Sequence, residues 1–224
     1  MVPWTLLGSA SIPGNAKELR LTQRGVEFSI KIAGGGELMN SRVHGSEDAL
    51  AELACARVAE RSQPHLLIGG LGMGFTLAAA LNALGSTANL TVAELVPEVV
   101  EWNRGPLGEA AGHPLRDERV RVHIGDVGHI LRKKPRTFDA ILLDVDNGPE
   151  GLTRKENDWL YSMAGLVVAY EALRPAGVLA IWSAGPDRDF AARLRKVGFE
   201  VEEVVVRAHR PGKGARHTIW LAGN

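Results

Sequence analysis

Cysteine is almost absent from this 224-residue sequence, which contains a single one, Cys55. One thiol excludes an intramolecular disulfide, and no cluster of Cys and His residues has the spacing of a zinc site. Hydrophobic runs are short as well, since none approaches the roughly 20 apolar residues that span a bilayer. Residues 1–11 lack the basic start of a signal peptide, so we expect a cytoplasmic protein with no membrane segment and no metal centre.

An excess of charge of either sign is missing too. Lys plus Arg and Asp plus Glu each number 26, so the formal net charge at pH 7 is zero. No long-range field draws the chain toward nucleic acid, and a nucleic acid partner is not expected. With 45% hydrophobic residues, the chain is long enough for one well-buried α/β domain and a small appendage.

The most informative feature that is present is an apolar run that breaks into closely spaced glycines. After a predicted buried strand that begins at His65 come Gly70, Gly72 and Gly74, and then an apolar segment that predicts a helix. A strand, a tight turn and a helix N-terminus together form a site for a nucleotide-like ligand. NAD is disfavoured, because the third glycine of its G-x-G-x-x-G pattern would fall on Phe75.

Three further predicted strands end in an acid. Glu94 follows Gly74 by twenty residues, which is where a ribose with two free hydroxyls needs an acceptor. Asp126 and Asp144 end the next two strands, and a fifth strand is predicted over 173–182. The acids therefore occur in a regular order along an alternating pattern of strands and helices.

The G-x-G-x-G turn and these acids resemble the Rossmann-like S-adenosylmethionine-dependent transferases. The resemblance implies an α/β methyltransferase fold, with a mostly parallel seven-stranded sheet whose last strand is antiparallel. It implies that Glu94 binds the ribose, that Asp126 contacts the adenine amino group, and that Asp144 lies where the chemistry occurs. The cofactor-binding residues predicted in this way are Gly70, Gly72, Gly74, Glu94, Asp126 and Asp144.

A narrower resemblance comes from the N-terminal part. Two short alternating runs, 18–21 and 27–32, predict a small β-hairpin element within residues 1–44, ahead of a catalytic domain over 45–224. A β-rich segment before an acidic helix start is similar to the spermidine synthases, and residues 144–149 resemble their active-site loop. This resemblance implies a homodimer.

Two departures from the spermidine synthase pattern affect the predicted chemistry. Their glycine turn usually carries an Asp that faces the ammonium end of decarboxylated S-adenosylmethionine, and Gly72 stands at that position here. An Asp there would repel the carboxylate of the intact donor, whereas a glycine tolerates it. Their second catalytic Asp falls on Asn147, so we expect Asp144 and Asp146 to be the catalytic pair, with Asp146 accepting a proton from an amine.

Other candidate residues have both functional and structural interpretations. Asn147, Glu47 and His44 are candidates for binding the acceptor, although Glu47 could simply favour the helix N-terminus and His44 could be a hinge or a satisfied polar residue. The basic segment 207–217 is predicted to be the loop between the last two strands; simple exposure is its ordinary interpretation, and binding an acidic acceptor or RNA is the alternative hypothesis.

We therefore interpret the chain as a spermidine-synthase-like scaffold that transfers a methyl group from S-adenosylmethionine to a small-molecule amine or hydroxyl. Proximity and orientation would supply most of the acceleration, because the sulfonium is already an activated leaving group. Two alternatives stay open: aminopropyl transfer from decarboxylated S-adenosylmethionine, and a nucleoside-binding protein without turnover.

Overall fold

The computed structural model describes residues 2–14, 16–145, 159–209 and 213–224. Asp146 and Asn147 lie outside the described residues, so their predicted roles stay predictions. No helix within these ranges is long and apolar enough to cross a membrane.

The described residues form eleven strands, six α-helices and two short 3-10 helices. In chain order, the strands and α-helices are β1 (Thr5–Ser11), β2 (Glu18–Arg24), β3 (Glu27–Ile32), β4 (Glu37–Asn40), α1 (Gly45–Val58), β5 (His65–Gly69), α2 (Phe75–Ala83), β6 (Asn89–Glu94), α3 (Pro97–Arg104), β7 (Val120–Ile124), α4 (Val127–Lys133), β8 (Phe138–Leu143), α5 (Met163–Ala172), β9 (Leu173–Ser183), α6 (Arg188–Val197), β10 (Glu200–His209) and β11 (Lys213–Gly223).

The larger sheet has seven strands in the order β10-β11-β9-β8-β5-β6-β7. Neighbouring strands from β9 to β7 pair in parallel, and β11 runs antiparallel to both β9 and β10. Leu66 and Ile68 of β5 enter one hydrophobic core and Leu67 enters the other, so this strand is buried on both faces. The predicted fold class is confirmed.

The N-terminal element is larger than the predicted hairpin. The two predicted runs do pair, as β2 and β3, but β1 and β4 extend them to a four-stranded antiparallel sheet. Its side chains Leu21, Phe28 and Ile30 are fully buried in the same core as Leu66 of the large sheet. The small sheet therefore shares a hydrophobic core with the large sheet.

The C-terminal part corrects one prediction. The segment 207–217 is not a loop throughout: residues 207–209 end β10, and β11 begins at Lys213. Arg207 lies opposite Arg216 in the antiparallel ladder, and its guanidinium donates to the Gly214 carbonyl at 3.0 Å. The sequence did not reveal this, because a basic run between two strands predicts a solvated turn.

The turn after β5 requires glycine for steric reasons. Gly70 has φ +88°, and a Cβ built there would overlap the backbone carbonyl oxygen of Asp144. Gly112 has a similar φ of +74° but open space around it. Substituting alanine at each position therefore distinguishes the cost of backbone strain, which both share, from the cost of steric overlap, which only Gly70 has.

We expect Gly70→Ala to lower the free energy of unfolding by about 3 kcal/mol or more, against about 1 kcal/mol for Gly112→Ala. The extra loss arises because the backbone after β8 must move away from the new methyl group. Urea unfolding of both variants measures the difference. Equal losses would show that the close approach of Gly70 to Asp144 is not a real constraint.

Candidate active site

A cleft opens at the carboxyl edge of β5, β6, β7 and β8, where parallel sheets of this kind bind ligands. Six of the predicted site residues line it: Glu47, Gly70, Gly72, Glu94, Asp126 and Asp144. Of the other described candidates, Gly74 and His44 do not line the cleft. The opposite wall comes from the N-terminal sheet and its flanks, with Ile12, Leu19, Ile30, Leu38, Met39 and Asn40.

The glycine turn is held from outside the turn itself. Gly70 donates its N–H to the Ala93 carbonyl at 2.9 Å, which ties the turn to the end of β6. Asn103 of α3 is fully buried, and its Nδ2 donates to the carbonyls of Gly72 and Val99, both at 2.9 Å. No sequence signal pointed to Asn103, because an Asn in an amphipathic helix usually faces solvent.

Glu94 ends β6 with its carboxylate fixed by backbone groups. Its Oε2 accepts from the Leu71 N–H at 2.8 Å and its Oε1 from the Val96 N–H at 2.9 Å. Burial raises the pKa of Glu94 above its ordinary value, although these N–H groups oppose the shift. Each oxygen keeps a lone pair, so the carboxylate can still accept hydrogen bonds from a ligand hydroxyl.

Asp126 combines a capping contact with an exposed position at the cleft. Its Oδ1 accepts from the Gly128 N–H at 2.6 Å, which caps α4. Only one oxygen is used in this way, so the other is available to a ligand. The predicted contact with an adenine amino group stays a prediction.

Asp144, directly after β8, is oriented by a residue that sequence reasoning missed. The hydroxyl of Thr76, in the first turn of α2, donates to Asp144 Oδ2 at 2.7 Å. Burial raises the pKa of Asp144 despite this hydrogen bond. The signal for Thr76 was weak, since a Thr in an apolar helix start is compatible with simple packing.

Glu47, near the start of α1, faces the same part of the cleft. Burial, and secondly the charge of Asp144, raise the pKa of Glu47 to about 7. The hydroxyl of Ser46 opposes this by donating to Glu47 Oε2 at 2.6 Å. Two carboxyl groups from distant parts of the chain therefore meet at one site, and each makes the ionised form of the other less favourable.

His44 points to a different set of neighbours. Its ring stacks on Phe75 with 4.1 Å between ring centres, and its Nδ1 lies 2.9 Å from Asp48 Oδ2. These contacts correspond to the satisfied polar residue that the sequence left as one interpretation. Its predicted contact with an acceptor stays a prediction.

The charge of the cleft wall is one-sided. Among the described residues that line it are four acids, Glu47, Glu94, Asp126 and Asp144, and no Lys, Arg or His. Uncompensated carboxylates in a partly desolvated cleft favour a ligand that brings positive charge. In the described part of the chain, no group of three or more His, Cys, Asp or Glu residues could hold a metal ion.

Fold and site together define the class of Rossmann-like α/β proteins whose ligand cleft lies at the carboxyl edge of a mostly parallel sheet. Within that class, residues 49–186 match the model of the spermine/spermidine synthase domain, and the chain belongs to this family. A polyamine aminopropyltransferase of Prochlorococcus marinus (strain AS9601) is 27% identical over 141 residues, which are 62% of this chain and 47% of the relative. The chain spans about half the length of that curated relative.

Solved structures of the family share the fold. The spermidine synthase from Thermotoga maritima superposes with a TM-score of 0.74 at 17% identity, covering 97% of this chain and 72% of the other. A spermidine synthase in complex with the transition state analogue AdoDATO gives 0.73 at the same identity and coverage. A probable spermidine synthase from Corynebacterium glutamicum ATCC 13032 gives 0.64, also at 17% identity, covering 97% of this chain and 79% of the other.

These comparisons correct the main functional prediction. The interpretation as a methyltransferase is wrong, because the matched family and the curated relative both support the aminopropyltransferase alternative. The error came from giving decisive weight to Gly72, where the family usually has an Asp. The charge of a ligand site depends on all the carboxylates around it, and four others line this cleft.

The raised pKa of Glu47 predicts a pH-dependent stability. Its pKa rises from an ordinary 4.5 to about 7 in the folded protein, so the unfolded chain releases this proton first as pH increases. The free energy of unfolding should therefore decrease as the pH rises from about 4.5 to 7. We expect Glu47→Gln to stabilise the ligand-free protein at pH 8 by about 1–2 kcal/mol, or roughly 2–8 °C in Tm.

The same substitution should change Tm little at pH 4.5, where Glu47 is protonated in the folded protein and half protonated in the unfolded chain. Thermal unfolding at the two pH values measures the effect, and Glu60→Gln, at an exposed position near the end of the first helical segment, is the matched control. A Glu47→Gln protein that is no more stable than wild type at pH 8 would contradict the raised pKa of Glu47.

Proposed function

We propose that the protein is an aminopropyltransferase that moves the aminopropyl group of decarboxylated S-adenosylmethionine to an aliphatic amine of the polyamine class. Membership of the spermine/spermidine synthase domain family supports the reaction type. The observation that carries the choice of donor is the cleft wall, which in its described part has four acids and no basic side chain.

The donor's charge fits this wall. Decarboxylated S-adenosylmethionine carries a sulfonium and an ammonium group and no carboxylate, whereas the intact donor adds a negative charge. A contact between unit charges about 4 Å apart is worth about 4 kcal/mol at an effective dielectric constant of 20. Glu47 and Asp144 thus offset the absence of an acid at Gly72, and a donor carboxylate near them is repelled.

The reaction is an in-line displacement. The acceptor nitrogen attacks the propyl carbon next to the sulfonium, so that an N–C bond forms, the C–S bond breaks and methylthioadenosine leaves. We assign ribose binding to Glu94, adenine binding to Asp126 and orientation of the cationic groups to Asp144, which Thr76 holds in place. These roles place the reacting atoms close together, which supplies most of the rate.

The acceptor nitrogen must lose a proton in this reaction, and Glu47 is suited to accept it. A base works best when its pKa is close to the working pH, and burial brings the pKa of Glu47 to about 7. Asp146, the base predicted from sequence, is the second candidate and lies outside the described residues.

The reaction is tested by product analysis with decarboxylated S-adenosylmethionine and putrescine. We expect methylthioadenosine and the aminopropylated amine in equal amounts, and no S-adenosylhomocysteine when the intact donor is supplied. Asp144→Asn keeps an acceptor for Thr76 but removes the charge, so kcat/KM should fall about a hundredfold or more.

Asp189→Asn, an exposed substitution on α6, is the control and should retain the wild-type kcat/KM. Formation of S-adenosylhomocysteine, or an Asp144→Asn enzyme with undiminished turnover, would refute the proposal.

We also propose that the chain forms a homodimer through its N-terminal sheet. Its edge strand β1 exposes Leu6 and Leu7, at 56% and 39% of their surface. We expect sedimentation to show a dimer at micromolar concentration, and Leu6→Glu to shift it to monomer because a charge would be buried. Val26→Glu, at an 89% exposed turn, is the control. A monomeric wild-type protein would contradict this proposal.

A further inference from the structure

Glu47 is connected to the far end of the chain by hydrogen bonds. Its Oε2 accepts from the Ser46 hydroxyl at 2.6 Å, and Ser46 Oγ lies 2.9 Å from Nδ1 of His217, which belongs to β11. Ser46 is 1% exposed and His217 is partly exposed. Three side chains thus form a continuous path from the acidic cleft to a residue that solvent can reach.

The direction of these bonds follows from the number of protons available. A Ser hydroxyl has one proton, and Ser46 donates it to Glu47. Nδ1 of His217 must then be the donor to Ser46, which assigns the Nδ1–H tautomer while Glu47 is ionised. If Glu47 gains a proton, both bonds can reverse, and His217 must then carry its proton on Nε2.

The described neighbours of this path include two acids and an aromatic ring. The charged groups that act on Glu47 are Asp144 and, more weakly, Asp48 on its own helix. The ring of His217 lies edge-on to Trp182 of β9, with 4.7 Å between ring centres, and Trp182 itself lines the cleft. Burial alone lowers the pKa of His217, so this imidazole releases a proton readily near neutral pH.

We propose that Ser46 and His217 form the proton path that restores Glu47 after each aminopropyl transfer. This inference rests on the proposed function. The acceptor nitrogen gives its proton to Glu47, and His217 exchanges its Nδ1 proton for one on Nε2 through solvent, so that both hydrogen bonds reverse. Glu47 then passes a proton to Ser46 Oγ while Ser46 passes its own to the vacant Nδ1 of His217. The imidazolium then loses its Nε2 proton to solvent, and the starting hydrogen bonds are regenerated. Ser46 and His217 are positioning residues that act through Glu47.

The first test needs no turnover. Nitrogen-15 NMR of the histidine side chains reports which ring nitrogen of His217 carries the proton. We expect the Nδ1–H tautomer above about pH 7 and the Nε2–H tautomer when Glu47 becomes protonated. Ser46→Ala should abolish this switch, because the connection is cut. A tautomer that does not follow Glu47, or that switches equally in Ser46→Ala, would overturn the proposal.

The second test separates proton transfer from mere orientation. His217→Asn places an amide N–H close to the position of Nδ1 but cannot carry a proton, and His217→Ala removes both properties. We expect both variants to lose kcat at least tenfold with little change in the donor's KM, and added imidazole to restore only His217→Ala. His209→Asn, exposed on β10, is the control.

A His217→Asn enzyme with the wild-type kcat would overturn the proton path, since orientation alone would then suffice. A wild-type protein without any turnover would count against the proposed function instead. In that case the tautomer measurement still decides whether His217 and Glu47 exchange protons through Ser46.

Discussion

The constraint on which the site depends is the repulsion between two carboxyl groups, Glu47 and Asp144, for which the described residues of the cleft supply no counter-charge. Burial raises the pKa of both, and their mutual repulsion adds to the shift of Glu47. Hydrogen bonds from Thr76 and Ser46 hold the pair in place but do not neutralise it. The ligand-free protein therefore carries an electrostatic cost that a cationic ligand would relieve.

The fold holds the two carboxyl groups together despite their electrostatic repulsion. The two carboxyl groups lie on α1 and after β8, elements anchored in the core through Leu50 and Leu142, both fully buried. The N-terminal sheet covers the opening with apolar side chains, which lowers the local polarity and strengthens every charge interaction beneath it. The same sheet thereby affects the electrostatics of the cleft as well as the packing of the core.

Sequence alone predicted the large sheet well, because glycine spacing and strand-ending acids are local patterns. It predicted that Glu94, Asp126 and Asp144 would each follow a strand, and the parallel arrangement of those strands brings them to one edge of the sheet. It missed Thr76 and His217, whose roles depend on contacts across 68 and 171 residues of chain. It also misjudged the reaction, because one glycine position carries less information than the summed charge of a cleft wall.

Calorimetric titration of the wild-type protein with decarboxylated and intact S-adenosylmethionine, at pH 8 and low ionic strength, tests the central claim most directly. We expect the decarboxylated donor to bind at least tenfold more tightly than the intact donor, a difference of about 1.4 kcal/mol, and added salt to reduce that preference. Equal affinity for the two donors, or tighter binding of the intact one, would contradict the account.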